Sequence, residues 1–217
     1  MRFQGFGTDA CRFYEELAED NSRDWFAANR ARYEAEVRAP LEYLLDDLAD
    51  EFGEGKVFRP HRDVRFSKDK SPYKTNAAAV IEGDAGAYSL YVQISAEGLM
   101  IGGGAYHLAG EPLDRLRAAI DDDRTGPELE EIVADLRAAG AQTGAHEQLK
   151  AAPRGYPKDH PRIDLLRNKG IIGWWEHPPR RWLHTAKARD RLADGWRRLG
   201  PLNAWLVAKV GPSELPA

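Results

Sequence analysis

Hydrophobic spacing changes twice along this chain, and that change restricts the fold more than any single residue does. Near the N-terminus apolar side chains recur at helical intervals. Phe13, Tyr14 and Leu17 come first, then the stripe Trp25, Asn29, Tyr33 and Val37, then Leu41, Leu44, Leu45 and Leu48. In the middle the period drops to two, with Tyr88, Leu90, Val92 and Ile94 alternating with other residues. Helical spacing then returns to the C-terminus. No strand–helix–strand rhythm and no nucleotide-type glycine loop occurs. The order predicts an α+β fold: N-terminal helices, a central antiparallel sheet of three to five strands, and C-terminal helices.

The boundaries follow from local signals. Thr8 is placed to cap a first helix, and Asn21, three residues before Asp24, to start a second. Pro40 suits the first turn of a third helix, or a kink, and Gly53 and Gly55 end it. Strands are expected at 76–82, 88–95 and 99–103, with Glu97-Gly98 as a hairpin turn and 64–67 as a further candidate. Helices are expected over 112–121 and 127–139, with Gly140 as C-cap, and near 185–198 and 201–210. Residues 141–180, with Pro153, Pro157, Pro161, Pro178 and Pro179, read as irregular. A chain of 217 residues is expected to form a single α+β domain over 1–217, with about 70% of its unfolded surface buried.

Composition excludes several classes. Mean hydropathy is -0.59, and the longest apolar run in the strand-like middle is 77–81, so no membrane partner is expected. The opening MRFQGFGTDACRFYEEL lacks the apolar core of a secretory signal, and Cys11 is the only cysteine. A cytoplasmic location is the expectation. Cys11 reads as a core residue. The six histidines form no HxxxH or HExxH pair, so no metal site is assigned, and the cofactor is left open. Asp121-Asp122-Asp123 reads as a solvated helix end. Gly102-Gly103-Gly104 lacks the phosphate-loop lysine and reads as a strand end closely approached by another backbone.

Charge is unevenly placed. The net over the chain is -4, yet residues 1–55 carry 14 acidic against 6 basic side chains, and residues 150–200 carry 13 basic against 5 acidic. Residues 59–74 are also basic, with 6 cations against 2 carboxylates. Basic and acidic elements either neutralise each other inside the fold or build an electropositive face.

The densest chemistry lies in RPHRDVRFSKDKSPYK, residues 59–74. Arg59, Arg62, Arg65, Lys70 and Lys74 supply cations, Asp63 and Asp69 the counter-charges, and Tyr73 a hydrogen-bonding wall. If 62–68 is extended, Arg62 and Val64 face one side, Asp63 and Arg65 the other. Ser71-Pro72 favours a turn that folds Tyr73 and Lys74 back towards the cluster. Guanidinium forks beside ammonium groups suit phosphate or carboxylate. The same residues also suit an ion-pair network tying strands to the acidic helices, or a catalytic centre with an Asp as base or metal ligand.

This segment resembles the signature of the uncharacterised bacterial family called domain of unknown function 2461: Arg-x-x-Arg-Asp-x-Arg-Phe, then Asp or Asn with Lys, then x-x-Tyr. Arg59, Arg62, Asp63, Arg65, Phe66, Asp69, Lys70 and Tyr73 match. Trp25-Phe26, Asn29, Tyr33 and Pro40, and later Leu149-Lys150, Pro153-Arg154-Gly155-Tyr156, Asp159-His160-Pro161 and Leu165-Leu166-Arg167, extend the likeness over nearly the whole chain. The resemblance implies no activity.

The reading is a protein that binds a small anionic, phosphate- or carboxylate-bearing ligand through Arg59, Arg62, Asp63, Arg65, Asp69, Lys70, Tyr73 and Lys74, joined by Lys150 and Arg154. No catalytic residue and no oligomeric state is assigned. One alternative is a nucleic-acid module using the basic 150–200 face, where Arg180, Arg181 and the cations of 187–198 interleave with Trp182 and Trp196. The acidic pI of about 5.9 argues against it. The other is a non-catalytic scaffold whose cluster is structural.

Overall fold

The computed structural model describes residues 2–65, 68–83 and 86–213. The helices are α1 (Ala10–Glu19), α2 (Arg23–Ala28), α3 (Arg30–Tyr33), α4 (Ala39–Phe52), α5 (Gly110–Asp121), α6 (Thr125–Ala138), α7 (Ile163–Leu166), α8 (Lys187–Arg198) and α9 (Gly200–Lys209). The strands are β1 (Gly55–Val57), β2 (Asn76–Glu82), β3 (Ser89–Ser95), β4 (Gly98–Ala105), β5 (Gln142–Gly144) and β6 (Ile171–His177).

The fold is α+β, and its antiparallel sheet has six strands in the order β1-β2-β3-β4-β6-β5, more than the three to five expected. The unexpected strands are β1, β5 and β6. β1 and β5 have three residues each, too short to show a period. β5 and β6 lie inside the stretch read as irregular, where prolines and glycines masked them. They pair in register, Gln142 opposite Trp174 and Gly144 opposite Ile172. In the candidate strand 64–67, Val64 and Arg65 belong to no strand, and Phe66 and Ser67 lie outside the described residues.

The backbone clusters into two compact units. The first comprises 1–81, 91–101 and 176–194, the second 82–90, 102–175 and 195–217, so β2, β3, β4, β6 and α8 each contribute to both. The first unit is built on α1 to α4. Phe13 lies at its centre, with ring centroids of Tyr14, Trp25, Phe26 and Tyr33 at 5.2, 5.3, 6.1 and 5.7 Å. The expected continuous second helix is broken: α2 and α3 are followed by a π turn, Glu34–Arg38, before α4. Pro40 is the physical reason for the π turn. It has no N–H to offer the carbonyl four residues back, Glu36. That carbonyl instead accepts from the Gly7 N–H at 3.1 Å, which fastens the N-terminal segment to the bend. Asp9, not Thr8, stands at the N-cap of α1.

The second unit packs around Leu116, Ile120, Leu129, Leu166, Trp196 and Leu206, all essentially inaccessible. Trp205 is buried and Trp175 half-buried, and they donate their N–H groups to the carbonyls of Thr125 (3.2 Å) and Ala139 (3.1 Å). Asp122 accepts from the Arg124 and Thr125 N–H groups at the start of α6, a turn-forming role. No three His, Cys, Asp or Glu residues converge on a metal position among the described residues, where no helix is long and apolar enough to cross a membrane. Cys11 is buried, and burial pushes its thiol up to about 11.

The glycine triplet of β4 is a close-approach device. A Cβ at Gly102 would meet the Gly173 carbonyl oxygen at 3.2 Å, one at Gly103 the Ser89 oxygen at 2.7 Å, and one at Gly104 the Ile171 oxygen at 2.3 Å. Gly104 also sits at φ +115°, where side chains are strained. Gly104→Ala is therefore expected to lose about 2 kcal/mol or more of stability, since both backbone conformation and overpacking oppose it. Denaturant unfolding measures this; a loss below about 0.5 kcal/mol would contradict the close approach.

Candidate functional site

Residues 55–65 and 68–81 form the two arms of one long hairpin. Its stem is the β1–β2 pairing, with Gly55 opposite Ile81 and Val57 opposite Ala79. An outer rung pairs His61 with Tyr73, closed by Arg62 N–H to the Pro72 oxygen (2.9 Å) and Lys74 N–H to the Pro60 oxygen (2.8 Å). Val57 to His61 advances four positions while Tyr73 to Ala79 takes six, so the returning arm carries two extra residues. Residues 63–65 and 68–71 lie beyond this rung, at the tip.

The rung is seated on the N-terminal helices by two contacts. The Tyr73 ring stacks on Phe26 at 3.9 Å between centroids and 10° between planes. The Asn21 amide grips both backbone groups of Tyr73, donating to its oxygen at 3.1 Å and accepting from its N–H at 3.0 Å. Tyr73, expected as a wall of the site, is buried as an anchor. Asn21 is free for this because Ser22 caps α2, accepting from the Trp25 N–H at 3.1 Å. The sequence reading had Asn21 as a helix start. The signal for its true role is two cap-competent residues in succession where one suffices.

Within the tip the charges pair locally. Arg65 forks onto Asp63, with Nε to Oδ1 at 2.9 Å and Nη2 to Oδ2 at 2.6 Å. Arg62 pairs with Asp69. The other Asp69 oxygen accepts from the Ser71 N–H (2.9 Å) and hydroxyl (2.6 Å), which makes the turn expected at Ser71-Pro72. Lys70 donates to the Val64 carbonyl at 2.9 Å. These side chains are largely solvated, Arg65 being 77% and Asp69 53% exposed. The Ser71 bonds, reinforced by Arg62, hold the Asp69 carboxyl down to about 2. Arg65 holds that of Asp63 below its ordinary range.

Among the described residues, Arg59, Lys68, Lys70 and Lys74 of the motif have no ion pair. Arg59 is exposed. The Lys74 ammonium lies 5.1 Å from the centroid of the Phe58 ring. Burial, then the nearby Arg59 charge, pushes the Lys74 ammonium below its ordinary value.

The family model described as conserved hypothetical protein (DUF2461) matches residues 9–205. The chain belongs to that family. A comparison with curated proteins returns no match.

In this DUF2461 protein the matched stretch contains both the hairpin and the helices that seat it. Lys150 and Arg154 belong to the second unit and are exposed there. Other cations of that segment serve the backbone: Arg162 donates to the Ile120 (2.6 Å) and Asp121 (2.9 Å) carbonyls, and Arg167 to that of Leu149 (2.7 Å). A polar group the sequence reading did not assemble lies after β4, where the Tyr106 ring stacks on His146 at 4.4 Å with its hydroxyl 2.7 Å from Nδ1. Glu147 beside it pairs with Lys169.

Two outcomes follow from the hairpin. Asn21→Ala should lose about 1–3 kcal/mol by orphaning the Tyr73 backbone groups, and the Tyr73 amide should exchange faster in hydrogen-exchange measurements. Unchanged exchange would contradict the grip. Asp69 should titrate near pH 2 by carboxylate NMR. Its folded value is depressed, so its bonds are fully present above the ordinary carboxylate range and are lost as pH falls through about 2. A titration near 4 would contradict the Ser71–Asp69–Arg62 geometry.

Proposed function

We propose that this DUF2461 protein binds a small phosphate- or carboxylate-bearing anion on the hairpin, with Arg59 and Lys74 as its primary contacts. Lys70, Arg62 and Arg65 extend the positive field over the tip. The observation that carries the reading is the like-charge relation of Arg59 and Lys74. Arg59 helps depress the Lys74 ammonium, and neither has a carboxylate partner among the described residues. Asp63 is near enough to feel Arg59, yet both its oxygens are engaged by Arg65. An anion held between two such cations relieves their repulsion and gains charge-assisted hydrogen bonds.

Binding is favoured over proton transfer. Asp63 and Asp69 are both held in the ionised form below their ordinary range, which makes them weak bases at neutral pH. The internal pairing of Arg62 with Asp69 and Arg65 with Asp63 favours a second reading, in which the tip is a structural element without a ligand.

Thermal denaturation at low salt with inorganic phosphate, citrate and ATP, each with and without Mg²⁺, separates them. An anion at about 100 times its dissociation constant adds about 2.7 kcal/mol. That gain should vanish in Arg59→Ala, whose unliganded midpoint should match wild type because the side chain is exposed and unpaired. Arg65→Ala should also leave the midpoint unchanged, because exposed ion pairs contribute little. Absence of any anion effect on the wild type would leave the structural reading standing.

A further inference from the structure

The first unit carries another concentration of cations, remote in sequence from the hairpin and built around Trp182. After β6 the chain makes a 3-10 turn, Arg181–His184, and enters α8. An open depression of about 480 Å³ lies there, lined by Arg181, Trp182, Thr185, Ala186, Lys187 and Asp190. The volume falls within the range that holds a small organic ligand.

The Trp182 indole is fixed from outside this depression. The Arg191 guanidinium lies over the ring at 4.7 Å from its centroid, and the His177 ring meets it edge-on at 5.6 Å and 88°. Burial, then the Arg191 charge, pushes the His177 imidazole below its ordinary value, so it acts there as an uncharged wall at neutral pH. The turn is also held in shape, the Thr185 hydroxyl donating to the Trp182 oxygen at 2.8 Å.

The charge of the lining is positive. Arg181 and Lys187 are exposed, and neither has a carboxylate partner among the described residues. Asp190 is the only acid in the lining, and Arg189 holds it through Nε at 3.1 Å and Nη2 at 2.8 Å. A fixed indole beside two free cations matches a ligand with a flat ring and an attached anion. Aromatic stacking supplies sequence-tolerant affinity for bases, and cations supply it for phosphates.

We propose that Trp182, Arg181 and Lys187 form a binding site for a nucleobase linked to phosphate, supplied either by a free nucleotide or by a single-stranded nucleic acid. The site shares no residue with the hairpin anion site, and its test is run in the Arg59→Ala background, so that anion binding on the hairpin does not contribute.

The experiment uses the full chain at low salt with two probes, AMP followed by titration calorimetry and a fluorescein-labelled ten-nucleotide dT oligomer followed by anisotropy. Binding of either probe is expected, weakened about tenfold or more in Arg181→Ala/Lys187→Ala and likewise in Trp182→Leu. The double variant alters only exposed side chains, so it keeps the test valid if Trp182→Leu fails to fold. Comparable affinity for AMP and oligomer identifies a nucleotide site, and binding of the oligomer alone identifies a strand platform; both support the proposal. No binding of either probe at millimolar AMP and micromolar oligomer overturns it. So does binding that the double variant leaves intact.

Discussion

A charged loop cannot hold its own position, and the structure around residues 59–74 depends on one buried fixture that holds it. The tip presents solvated arginines, lysines and carboxylates, whose ion pairs contribute little to order. What fixes it is the Tyr73 ring stacked on Phe26 and the Asn21 amide closed on the Tyr73 backbone. Phe26 in turn packs on Phe13 and Tyr33, so the loop is tied to the aromatic centre of the N-terminal helices. The buried aromatic supplies the energy and the paired hydrogen bonds supply the orientation. Each alone would leave the rung free to slide or rotate, because stacking is weakly directional along the ring plane and hydrogen bonds to a solvated backbone are nearly isoenergetic with water.

The same logic explains the bend before α4. A proline inside a helix leaves a carbonyl without its donor. Here the Gly7 N–H takes that place at the Glu36 oxygen, and the Asp9 N–H reaches the Glu36 carboxylate at 3.4 Å. The interruption thus becomes the attachment point for the N-terminal segment. Arg32 bridges Asp9 and Glu16 nearby, so acidic residues of α1 and its approach find their counter-charge within the first unit.

How much was legible depended on the length scale of the signal. The alternation in β3 was plain because Leu90, Val92 and Ile94 are buried on one face over seven residues. The helices α5, α6, α8 and α9 carried enough turns for their apolar stripes to show. β1 and β5 did not, since three residues hold no period, and β6 was hidden by its setting among prolines. At the site, the motif residues and the back-folding at Ser71-Pro72 were readable from residue chemistry. The burial of Tyr73 was not, because it depends on a partner 52 positions away, Asn21, and on Phe26. Asn21 carried an ambiguous signal: an Asn beside a Ser before a helix is read as capping by default.

Charge along a sequence is also a poor guide to charge on a surface. The segment 150–200 has a large cationic excess, yet several of its guanidiniums are consumed by carbonyls. Arg162 is only 8% exposed and closes the C-terminal end of α5, where the helix dipole favours a cation. Its carboxylate neighbours are Asp123 at 3.3 Å and Glu130 at 3.9 Å, and His160 reaches Asp121 at 3.0 Å, so the acidic triplet and the basic segment answer each other inside the second unit. Cations that satisfy backbone oxygens add to the formal charge of a stretch without adding a binding surface. The residues that remain available to an anion are those without such duties, and in the first unit they include Arg59 and Lys74 on the hairpin and Arg181 and Lys187 beside Trp182. Availability, rather than local charge density, is what separates a recognition residue from a structural one in this fold.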